Sequence, residues 1–151
     1  MWFDEPEDNR IVSWRIWRDS LVGLPKEEII NQVVETWSSV PTVTHLLAPD
    51  QVSNWPSPWQ LITDNYYCDI AINLGIFYTL ALLERDEFKD LCIEIYKNQN
   101  GWINLSSVDS GKYVLNYSHN KVVNRSYVEE TCKEKTLLYR YSYIDLEHKF
   151  S

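Results

Sequence analysis

Between Ile70 and Leu83 no residue is charged, and a helix drawn through this run is apolar on nearly every side. Ile70, Ala71, Leu74, Phe77, Tyr78, Ala81 and Leu82 fall on one face, while Ile72, Ile76, Leu80 and Leu83 occupy much of the other. A helix with no solvent face must be surrounded by other elements, so the run belongs in the middle of a domain. Two start signals precede it. Ser57 can cap with Pro58 at the first helical position and Gln60 completing a capping box, and Asp64 offers a second start. The run is shorter than the ~20 apolar residues of a membrane span, so no membrane partner is expected.

The segments before it read as helices broken by proline. Residues 1–10 read as a flexible acidic lead. Residues 11–58 read as a helical, proline-punctuated segment that holds every proline after Pro6. Ile11, Trp14, Trp17 and Leu21 recur at helical spacing up to Gly23. Pro25 opens a second helix with Glu27 and Glu28 in its first turn and an apolar stripe from Ile29 to Trp37. Residues 41–57 form an irregular apolar connection, and residues 59–85 are the central helix region.

The second half changes period. Leu91, Ile93 and Ile95 alternate with Cys92, Glu94 and Tyr96, as in a half-buried strand. Turn residues at Asn98–Gly101 and Val108–Gly111 separate further strands over 102–105, 112–118 and 121–124. Ser126 with Glu129 can open a short helix, and Thr136–Leu146 reads as the last strand, with Leu137, Tyr139, Tyr141 and Tyr143 on one face. Helices followed by a β-meander over 90–146 define an α+β fold, with the N-terminal and central helices packed on an antiparallel sheet. The length of 151 residues suits a single domain, 1–151.

The net charge of −8 disfavours a broad nucleic-acid surface, so no nucleic-acid partner is expected. Eleven acids face four bases in residues 1–75, against eleven and ten in residues 76–151. Cys68, Cys92 and Cys132 are odd in number and widely spaced, which suggests neither a disulfide framework nor a zinc site. With no Gly-rich phosphate loop and no His/Cys cluster, no cofactor and no metal are expected. The acidic N-terminus is unlike a signal peptide, so secretion is not expected. The Asn-x-Ser triplets at Asn104, Asn116 and Asn124 are therefore read as chance. Aromatic residues make up 14% of the chain, and Trp and Tyr anchor protein interfaces as well as cores.

Cys68 falls at the start of the central helix, where a helix N-terminus favours a thiolate and aims N–H groups at developing negative charge. The order of a Cys-headed helix (Cys68, Ala71, Leu74-Gly75-Ile76), a strand Ile93-Glu94-Ile95-Tyr96 and a turn at Gly101-Trp102 resembles the transglutaminase-like core of the papain-type cysteine enzymes. The likeness covers about residues 60–107. It implies a cysteine nucleophile with a His at the start of the first strand and an Asp after the second. Asp90 stands where that His would be, and Ser106 and Ser107 stand near the Asp position, with Asp109 slightly displaced. A scaffold that has given up catalysis is the implied reading. Its alternative is a cysteine-dependent amide hydrolase or transferase with Cys68 as nucleophile, His119 as base and Asp90 as orienter.

The stretch WPSPWQLITDNYYCDIAINLGIFYTL is also similar to small proteins of large tailed phages. That likeness implies a phage virion or assembly component, in the host cytoplasm or the virion, with other proteins as partners. Trp2, Trp14 and Trp17 are the candidate protein-binding residues.

Overall fold

The computed structural model describes residues 1–151. The helices α1 (Glu7–Leu21), α2 (Lys26–Trp37), α3 (Pro58–Asp64) and α4 (Asp69–Ala81) precede the strands β1 (Cys92–Asn98), β2 (Gly101–Val108), β3 (Tyr113–Ser118) and β4 (Lys121–Asn124). Helix α5 (Arg125–Thr131), strand β5 (Thr136–Ser142) and the single turn α6 (Tyr143–Leu146) complete the chain. The strands form one antiparallel sheet in the order β4-β3-β2-β1-β5.

Helix α4 lies on the inner face of this sheet, and Ile70, Ala71, Leu74, Ile76, Phe77, Tyr78 and Leu80 are all buried. A buried polar clamp fixes it to β2. Asn73 Nδ2 donates to the Leu105 carbonyl at 3.0 Å, and Ser106 Oγ donates to Asn73 Oδ1 at 2.7 Å. On the opposite side of α4 the Trp37 ring lies so close to Gly75 that a Cβ there would sit 2.2 Å from it. Glycine is required at 75 because only a bare Cα leaves room for the indole, whose Nε1 donates to Thr79 Oγ1 at 3.0 Å.

Several local expectations are corrected. Residues 1–10 are no flexible lead: Trp2–Asp4 form a 3₁₀ turn, α1 already starts at Glu7, and Trp2 is completely buried. Its ring packs 4.8 Å from Trp37 and 6.1 Å from Tyr67, which ties the N-terminus to the core. Trp14 is also completely buried, and Trp17 is half-buried against the same core. Trp2 and Trp14 therefore present no surface to a partner, because burying so large an apolar ring within the domain outweighs leaving it in water.

The central helix region is two helices. Asn65 adopts a left-handed conformation (φ 55°) that ends α3, and the chain restarts at Asp69. Helix α5 is capped by Asn124, which accepts from the Tyr127 N–H at 2.8 Å, rather than opening at Ser126. The last strand stops at Ser142, because Ser142 and Asp145 form a reciprocal capping box and start α6. A register shift opposite Ile95 and Tyr96 puts Leu137 across from Tyr96 and Tyr139 across from Ile95. Leu137 thus faces the outer side with Tyr96, away from Tyr139 and Tyr141.

Candidate functional site

Cys68 is the N-cap of α4, with extended backbone (φ −82°, ψ 176°). The residues before it are pinned by backbone hydrogen bonds. Tyr67 N–H donates to the Pro41 carbonyl at 3.1 Å, and Val43 N–H donates to the Tyr67 carbonyl at 2.9 Å, in a short parallel bridge with Thr42. Asn65 Nδ2 holds the Phe3 carbonyl at 2.9 Å. The head of α4 is thereby fixed against both the N-terminus and the 41–57 connection. The Cys68 side chain lies in the core at 3% exposure, and its thiol makes no hydrogen bond.

At its head, one turn before Asn73, α4 also presents Asp69 to the sheet. Its carboxylate accepts from Asn104 Nδ2 on β2 at 2.7 Å and, more weakly, from Asn116 Nδ2 on β3 at 3.4 Å. Asn116 Nδ2 also donates to the Asn104 carbonyl at 2.9 Å. Asn116 is left-handed (φ 68°) where the β3–β4 register shifts, and such irregularities re-aim a side chain out of the ladder. Asn104 is 6% exposed and its Oδ1 has no partner. A cavity of about 250 Å³ opens beside this cluster, lined by Thr42, Asp69, Asn116 and His119 among others.

His119 is thus brought to the rim of the cluster, on an exposed turn held by the Asn120 N–H to Ser38 Oγ bond at 3.1 Å. Asp90 is not. Its carboxylate accepts from the backbone N–H of Asp109, at 3.2 Å, and of Ser110. Asp109, Ser110 and Gly111 are successively left-handed, and Asp90 takes the N–H groups of the first two. Asp109 lies five residues beyond Asn104 along β2, a rise of about 16 Å. Asp90 therefore braces the β2–β3 turn and cannot orient a base beside Cys68. Ser106 is committed to Asn73, and Asp109 lies beside Lys26 at 3.3 Å.

Asn104 and Asn116 were visible in the sequence only as sequon asparagines. Nothing in their spacing from Asp69 joins them, because the pairing of β2 with β3 brings them together. No group of three His, Cys, Asp or Glu residues lies close enough to hold a metal ion.

A second polar cluster occupies the outer face of the sheet. Glu94, 5% exposed, accepts from Arg125 Nη1 at 3.1 Å and Nη2 at 2.7 Å, from Tyr96 Oη at 2.5 Å and from Ser107 Oγ at 2.7 Å. Burial pushes its pKa up, yet the hydrogen bonds from Arg125, Tyr96 and Ser107 and the Arg125 charge together hold the carboxyl below its ordinary value. Burial, with the Glu94 carboxylate beside it, pushes the Tyr96 phenol up to about 12.

A buried helix with its head turned to an antiparallel sheet is shared with solved structures over nearly the whole chain, a likeness of fold that supports the transglutaminase-like core. Among these are structures of LapG from Legionella pneumophila. Its calcium-bound form matches with a TM-score of 0.70 at 17% identity, covering 92% of this chain and 78% of that one. A second LapG structure and the EGTA-treated form match with the same TM-score and identity, each covering 93% of this chain and 77% of that one. The shared fold thus extends well beyond residues 60–107. No protein-family model matches the chain, and no curated protein matches it.

Proposed function

We propose that this chain is a non-enzymatic interaction protein on a transglutaminase-like scaffold. One observation carries the reading: the side chains that β2 and β3 bring to the head of α4 are the amides of Asn104 and Asn116. Neither amide can take a proton from a thiol at neutral pH, and nucleophilic catalysis by cysteine needs such a base within hydrogen-bond reach. Cys68 is buried and unbonded, as a packing residue is. With Trp2 and Trp14 committed to the core, the exposed apolar side chains that remain include Leu137, Leu138 and Ile144, the last 75% exposed. They line the free edge of the sheet at β5 and the turn after it. A place in a phage particle rests on the sequence likeness alone.

A second reading, a cysteine-dependent amide hydrolase, is favoured by the fold neighbour LapG, a transglutaminase-like cysteine protease, and by His119 lining one cavity with Asp69, the residue after Cys68. In it His119 takes the thiol proton as Cys68 attacks the amide carbon. The C–N bond breaks as His119 returns that proton to the departing amine, and water then hydrolyses the thioester to free the thiol. Iodoacetamide labelling between pH 5 and 9, read by peptide mass spectrometry, separates the two. The scaffold reading expects Cys132, which is half-buried, to label first and Cys68 to stay unlabelled while the chain is folded. Labelling of Cys68 ahead of Cys132 at pH 6, together with peptide cleavage lost in Cys68→Ala and His119→Ala, would establish the hydrolase instead.

A further inference from the structure

The outer face of the sheet is covered unevenly. Helix α5 packs over β3 and β4, and the part above β1 and β5 is left as an open cleft of about 430 Å³. Its walls include Lys112, Arg125, Arg140, Gly111, Leu137 and Glu94. Three cations against one carboxylate leave two positive charges there, on a chain whose net charge is −8.

The distribution of partners inside the cleft matters more than the sum. A carboxylate offers about four acceptor sites. The two Arg125 nitrogens, the Tyr96 hydroxyl and the Ser107 hydroxyl fill those of Glu94. Arg140 stands directly across from Glu94 in the β1–β5 register, yet it makes no salt bridge and donates to no oxygen; the Cys92 thiol lies beside it. Lys112 likewise meets no acid, its ammonium resting 5.1 Å from the Tyr113 ring centroid. The Gly111 N–H makes no hydrogen bond, and at φ 86° with Arg125 behind it the position has no room for a side chain without strain. The cleft is therefore lined by donors that meet no acid and by an acceptor already saturated. Tyr96 and the half-exposed Leu137 supply an apolar wall beside them.

We propose that this cleft is a binding site for a small phosphate monoester, its dianionic head held by Arg140, Lys112 and the Gly111 N–H and its organic body against Leu137. Two unpaired cations match a dianion, whereas a single carboxylate would neutralise only one of them, and a planar guanidinium beside an ammonium is a recurrent phosphate pairing. The site is on the face of the sheet opposite the head of α4, so it stands or falls independently of what Cys68 does.

Isothermal titration of the folded chain with phenyl phosphate, inorganic phosphate, benzoate and acetate at constant ionic strength tests it. Saturable one-site binding is expected, with phenyl phosphate tighter than inorganic phosphate and both tighter than the carboxylates. Arg140→Gln should weaken phenyl phosphate binding about tenfold or more, the loss of a charge-assisted hydrogen bond. Lys112→Gln should weaken it several-fold, while Lys121→Gln, on the far edge strand, should leave it unchanged. Arg140 and Lys112 are both exposed, so these variants keep the fold, which circular dichroism checks. Absence of saturable binding, carboxylates bound as tightly as phosphates, or an Arg140→Gln affinity equal to the wild type would each overturn the assignment.

Discussion

Replacing Arg125 by Ala tests how the outer face of the sheet is held. The guanidinium makes two hydrogen bonds to Glu94, at 3.1 and 2.7 Å, and a third from Nε to the Gly111 carbonyl at 3.0 Å. Without it the Glu94 carboxylate keeps only Tyr96 and Ser107 as close donors, with its side chain 7% exposed and no opposite charge bonded to it. Removing one partner of a buried ion pair costs about 3–5 kcal/mol. Because the Arg125 side chain is 28% exposed, solvent screens part of the pair and the lower end applies, about 3 kcal/mol.

With a urea m-value of about 2 kcal/mol/M, the unfolding midpoint should fall by about 1.5 M. The pH dependence gives a sharper check. In the wild type the folded pKa of Glu94 is depressed, so its contribution is present above the unfolded value and is lost as pH falls through the folded one. Burial is the largest single influence on Glu94 and raises its pKa, so removing the Arg125 hydrogen bonds and charge moves the folded pKa up. The variant should then lose less stability than the wild type as pH falls through the carboxylate range, and Glu94→Gln in the same background should restore part of the loss. A midpoint shift below about 0.3 M, or a variant whose pH slope matches the wild type, would refute the reasoning.

Three further outcomes follow from the geometry. Gly75→Ala should destabilise the chain by about 1–3 kcal/mol in urea unfolding, since its Cβ would sit 2.2 Å from Trp37, and a paired Trp37→Leu should recover much of that. Trp2→Ala should cost about 3–5 kcal/mol and expose α1 to early hydrogen exchange, a loss that a flexible N-terminal lead would not show. Burial raises the phenols of Tyr67 and Tyr78 well above the ordinary tyrosine range, and that of Tyr96 to about 12. Their shared contribution is present below the unfolded tyrosine pKa and is lost as pH rises through the folded values, so an ultraviolet titration should show them ionising together with unfolding.

Much of the fold was legible along the chain because its signals are local. An uncharged run from Ile70 to Leu83 has no stable home except the middle of a domain. The alternation from Leu91 to Tyr96 repeats every two residues whatever lies across from it. The Cys-headed helix and its following strands carried the transglutaminase-like likeness, and the structural neighbours bear out that core. Where local chemistry was misassigned, a competing local signal had won: Ser142 with Asp145 starts a helical turn inside what alternation alone extends as strand.

The composition of the site lay outside such local signals. Asp69, Asn104 and Asn116 are separated by 35 and 12 residues, and they meet only because β2 and β3 pair under the head of α4. Asp90 occupies the sequence position of a base yet points into a turn, since the left-handed Asp109 and Ser110 after β2 offer it their N–H groups. Trp2 and Trp14 carry no mark in the chain that separates a docking ring from a core ring. Burial is a property of what surrounds a side chain, and those neighbours arrive from elsewhere once the helices close over α4.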